Sequence, residues 1–74
     1  MTTKTPEELL KDLDSKNASV REAAAKNPNA TPEVLLKALE DENSDVRKSA
    51  QESLQNDPIL QLQVAVLEAQ KVAS

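Results

Sequence analysis

Apolar residues in this chain arrive in short bursts at helical spacing, and polar stretches carrying Pro, Asn or Asp separate the bursts. Leu9, Leu10 and Leu13 form one burst, and Val34, Leu35, Leu36 and Leu39 repeat it further along, each marking the apolar face of a short amphipathic helix. Thr5 and Thr31 stand before these bursts as N-caps. Pro6 and Pro32 take the first helical position, where no N–H is needed, and acids follow where the helix dipole favours them. Thr5 and Glu8 have capping-box spacing, whereas Thr31 finds Val34 in that place and caps alone. Second helices begin after Asn17 and Asn43, with inner faces of Val20, Ala23 and Ala24, and of Val46, Ala50 and Leu54. Asn27-Pro28-Asn29 stops one of them, because a residue before proline is pushed out of the α region, and Asp57-Pro58 opens a last helix. The pattern predicts an all-α chain with helices over 6–14, 18–26, 32–40, 44–55 and 58–72.

The first two helices and the next two are one pattern written twice. Residues 5–29 set over residues 31–55 agree at 11 of 25 positions, and the same offset of 26 carries Pro32 to Pro58. The expected organisation is a single domain over 1–74, with repeat one at 5–30, repeat two at 31–56 and a C-terminal capping helix at 57–73. Units of this kind stack and bury a continuous core between neighbours.

The motifs T-P-E-x-L-L-K-x-L, N-x-x-V-R-x-x-A and the junction N-P-N-A-T-P resemble the HEAT-like α-solenoid repeats, particularly the variant leucine-rich repeat, over residues 5–58. The resemblance implies a small right-handed solenoid of helix pairs that acts as a protein–protein interaction module or scaffold. It also implies a ladder between units, built from an Asp six residues before the Arg of the V-R pair. Asp41 and Arg47 match that spacing, while Arg21 has Ser15 there, leaving Asp14 or Asp41 as its carboxylate. HEAT-like repeats also occur in bilin-lyase-type proteins, so an auxiliary subunit of such an enzyme complex is the alternative.

Composition narrows the chemistry. Among 74 residues there is no Cys, His, Gly, Phe, Trp or Tyr. A thiolate nucleophile, the usual zinc ligands, a neutral-pH titrating imidazole and a glycine-built phosphate loop are therefore all missing, and neither an enzyme nor a cofactor is expected. A net charge of −4 and the lack of stacking side chains argue against nucleic acid as a partner. No apolar run suits a membrane span or a signal peptide, so a cytoplasmic protein is expected.

The last helix carries two apolar strips. At about 100° per residue, Ile59, Leu62, Ala65, Val66, Ala69, Val72 and Ala73 share a broad face, and Leu60, Val64 and Leu67 a narrower one roughly opposite. One strip packs on the third and fourth helices; the narrow strip is expected to be spare, docking another protein or a second copy of the chain. Solenoids line their concave side with second helices, which assigns a binding face to Lys48, Gln51, Glu52 and Gln55. Glu22/Lys26 and Lys48/Glu52 are spaced as i, i+4 ion pairs. Arg21 and Arg47 are expected to be structural, holding loop carbonyls or a carboxylate between helices. The acid run Glu40–Asp45 lacks calcium-loop spacing and reads as solvated.

Overall fold

Each helix starts where a side-chain oxygen takes up backbone N–H groups that the first turn leaves without partners. The computed structural model describes residues 4–73, so residues 1–3 and 74 of the expected domain lie outside it. Its helices are α1 (Pro6–Asp12), α2 (Ala18–Lys26), α3 (Pro32–Leu39), α4 (Ser44–Gln55) and α5 (Pro58–Ala73), with no strand among the described residues. Thr5 Oγ1 accepts from Glu8 N at 3.3 Å while Glu8 Oε1 accepts from Thr5 N at 3.1 Å, completing a capping box. Thr31 Oγ1 accepts from Val34 N at 3.4 Å without a reciprocal partner. Asn17 and Asn43 cap α2 and α4 through Ser19 N at 2.9 Å and Asp45 N at 2.8 Å. Asp57 does the same for α5 with Ile59 N at 3.1 Å and Leu60 N at 3.2 Å.

Helix ends differ from expectation where the last turn tightens. The chain leaves α1 at Asp12 and α3 at Leu39, because Asp14 N reaches Lys11 O at 3.0 Å and Glu40 N reaches Lys37 O at 3.1 Å, both i→i−3 bonds. No described residue has a positive φ. Lacking glycine, the chain closes helices with right-handed caps at Leu13 and Asn56 and with an extended Asn27 before Pro28, in place of a left-handed cap.

Leu9, Val34, Leu35, Ala38, Val46 and Ala50 are fully buried, joined by Ala24, Ala25, Leu13, Ala30 and Val64. Alanine at these positions lets helices approach closely, most extensively between α2 and α4. Ser53 Oγ donates to Ala25 O at 2.7 Å across that interface. The buried Ser49 donates to Asp45 O at 2.9 Å, so its hydroxyl is satisfied within α4. On α2 the inward alanines are Ala24 and Ala25; Ala23, expected inside, is exposed, because α4 covers more of α2 than α1 does. The radius of gyration, 11.7 Å, lies near the roughly 11 Å of a compact chain of this length, which makes the molecule one tightly packed body.

α5 lies on α3 and α4. It runs in the same direction as α3, since its N-terminal Leu60 joins the shared core and its C-terminal Lys71 Nζ meets Glu40 Oε2 at 2.9 Å beyond the end of α3. Gln61 Nε2 donates to Leu54 O at 2.7 Å and ties α5 to the last turn of α4.

Candidate functional site

The strongest polar constellation joins the two halves of the chain. The loop before α4 brings Asp41 to Arg21 on α2: Arg21 Nε donates to Asp41 Oδ2 at 2.9 Å and Nη2 to Oδ1 at 3.4 Å. Both side chains are nearly enclosed, with 12% and 10% of their surfaces exposed. Arg21 Nη1 also donates to Ser15 O at 2.8 Å, and Arg47 Nη1 donates to Asp41 O at 2.8 Å and Glu42 O at 3.0 Å. Each arginine therefore holds the carbonyl six residues before it. The carboxylate of Asp41 goes to Arg21, while Asp14 pairs with Lys37 at 2.8 Å. Burial pushes the Asp41 carboxyl up. The Asn43 N–H that it accepts at 2.8 Å, the Arg21 hydrogen bond and the charges of Arg21 and Arg47 outweigh that, holding it below its ordinary value. No buried side-chain nitrogen or oxygen among the described residues lacks a hydrogen-bond partner, so the arrangement clamps loops.

The apolar strips of α5 are placed opposite to expectation. Val64 is buried, and Leu60 and Leu67 are half-buried against the body of the protein, so the narrow strip is the one that packs. The face left to solvent is the broad one, with Ile59 69%, Leu62 67%, Val66 49% and Val72 85% exposed. The side chain of Ala73, assigned to this face by the sequence, lies outside the described residues. The 26-residue offset contains the reason: it carries Val34 to Leu60 and Ala38 to Val64, and Val34 and Ala38 are buried on α3. The packing face follows this register and not the width of the strip.

Beside this exposed face an apolar groove of about 600 Å³ runs across α1, α3 and α5. Leu10 on α1, Leu62, Val66 and Leu67 on α5, and Pro6 and Pro32 at the helix starts form its walls, with Glu7 and Glu33 at the edge. Sequence reasoning missed Leu10, Glu7, Glu33, Ile59, Leu62 and Val66 as a surface. The signal was present in their matched positions: Leu10, Leu36 and Leu62 are one register row, and Glu7, Glu33 and Ile59 another.

On α4, Lys48, Gln51, Glu52 and Gln55 are all exposed. Glu22 and Lys26 close their predicted pair at 3.2 Å, whereas Lys48 and Glu52 form no ion pair. Among the described residues no group of three potential ligands converges as a metal ion requires, and no helix is long and apolar enough to cross a membrane. Comparisons with protein-family models, with curated proteins and with solved structures gave no match to the chain.

Proposed function

We propose that the protein is a non-catalytic interaction module made of two HEAT-like helix pairs and a capping helix, docking a partner protein on the outer face of α5 and the adjoining groove. The observation that carries this reading is the gathering of Ile59, Leu62, Val66 and Val72, large apolar side chains each 49% exposed or more, on one helix. Contiguous exposure of this kind marks interaction surfaces more often than tolerated scatter. The HEAT-like part of the reading is supported by hydrogen bonds that recur at the repeat offset. Ser15 Oγ and Asp41 Oδ1 accept from Asn17 N and Asn43 N, and Arg21 and Arg47 hold equivalent carbonyls.

Cross-linking of the chain to bound protein, with mass-spectrometric mapping of the linked residues, tests the proposal. The expected links fall on α5 and α1, disappear in Leu62→Glu and persist in a Gln51→Glu control on α4. Sedimentation at two concentrations distinguishes a second copy from another protein. Binding that survives Leu62→Glu, or maps to α4, refutes the docking face.

A further inference from the structure

The carboxylates at the edge of the outer groove specify what fits it. Building on the interaction reading above, we propose that the occupant is a basic amphipathic helix of a partner protein, lying across α1, α3 and α5. Its apolar residues sit on Leu10, Leu62 and Val66, and its Lys or Arg side chains reach Glu7 and Glu33. Both glutamates are exposed, and neither has an ion-pair or side-chain hydrogen-bond partner. No cationic side chain lines the groove. In the register shared by the three helices, one row reads Glu7, Glu33, Ile59 and the other Leu10, Leu36, Leu62. A segment crossing them meets acid on one flank and leucine beneath.

The spacing suits a helix. Packed helices lie about 8–10 Å apart, and a crossing helix rises about 1.5 Å per residue, so roughly five to seven residues separate its contacts with neighbouring helices. Apolar residues at heptad spacing therefore fall on successive rows. A second copy of this chain fits less well: its net charge is −4, and the polar side chains bordering its own exposed strip are Gln61, Gln63, Glu68 and Gln70. That strip brings no cation to Glu7 and Glu33, whereas a basic helix answers both.

The test uses two synthetic helices of about 18 residues with leucine at heptad spacing and one tryptophan, one carrying lysines on the flank and its twin glutamates. The protein has no tryptophan or tyrosine, so the peptide fluorescence is read alone. The basic peptide is expected to bind, more tightly as salt falls, and at least about tenfold more tightly than its twin. Glu7→Gln/Glu33→Gln is expected to weaken it about fivefold, as two exposed charge pairs warrant, with the far-UV CD spectrum unchanged. No binding, equal binding of the twins, or no effect of the double variant overturns the proposal. If binding is then still lost in Leu62→Glu, the docking face stands and only the basic occupant falls; if Leu62→Glu binds normally, both fall. A stable dimer through α5 in sedimentation also overturns it.

Discussion

Replacing Asp41 by alanine deletes the acceptor of three hydrogen bonds, from Arg21 Nε at 2.9 Å, Arg21 Nη2 at 3.4 Å and Asn43 N at 2.8 Å. A hydrogen bond to a charged group contributes about 1.5–3 kcal/mol net, and stripping one partner from a fully buried ion pair costs about 3–5 kcal/mol. This pair keeps a tenth of its surface in water, and Arg21 retains Ser15 O at 2.8 Å, so the lower range applies. The expected loss is about 2–3 kcal/mol, against a total of roughly 4–11 kcal/mol for a domain of this size. That corresponds to a fall in Tm of roughly 10–20 °C. Far-UV CD must report it, since the chain has no aromatic fluorophore. A double-mutant cycle with Arg21→Met should give a coupling of about 1–2 kcal/mol, because the two residues share one network.

The pH dependence follows in sign from the same contacts. The folded carboxyl titrates below the ordinary value of 3.8, so its contribution is fully present above that value and is lost as pH falls through the folded one. Wild type should exceed Asp41→Asn by a constant margin above about pH 5 and converge on it in acid. A Tm for Asp41→Ala within about 3 °C of wild type, or a coupling below about 0.3 kcal/mol, refutes the assignment of Asp41 as the clamp between the halves.

Three further outcomes are expected. Leu35→Ala, at a fully buried position, should cost about 2–5 kcal/mol in urea unfolding and bring the domain close to unfolding at room temperature. Thr31→Ala should cost about 1 kcal/mol by the same measurement, through loss of the bond to Val34 N. Val64→Glu should abolish the cooperative melt while Leu62→Glu leaves it within about 0.5 kcal/mol of wild type, since Val64 is 4% and Leu62 67% exposed.

Local rules made the helices readable. Thr5-Pro6, Asn17, Thr31-Pro32, Asn43 and Asp57-Pro58 name the starts, because a capping oxygen and a proline each act within one turn. The ends were read less well at α1 and α3, where i→i−3 bonds tighten the chain before the expected last residue and no proline marks the stop. Arg21 and Asp41 were legible only as candidates. The spacing matched Asp41 to Arg47 and left Asp14 or Asp41 for Arg21; the loop geometry gives the Asp41 carboxylate to Arg21 and leaves Arg47 the backbone carbonyl.

The two strips of α5 show where a helical wheel stops being informative. Both are apolar, so hydrophobic patterning alone supplies no preference between them. The repeat register does discriminate, through the residue that breaks it as much as through those that keep it. Leu9 and Leu35 are fully buried, yet the same offset brings Gln61 to that position on α5. A glutamine there cannot enter the core without losing the hydrogen bonds of its amide. It instead reaches the carbonyl of Leu54, and the inward face of α5 falls on the neighbouring row of Leu60 and Val64. With that row inside, geometry turns Ile59, Leu62 and Val66 outward, the last two beside Leu10, and the exposed apolar face is the counterpart of how α5 is seated.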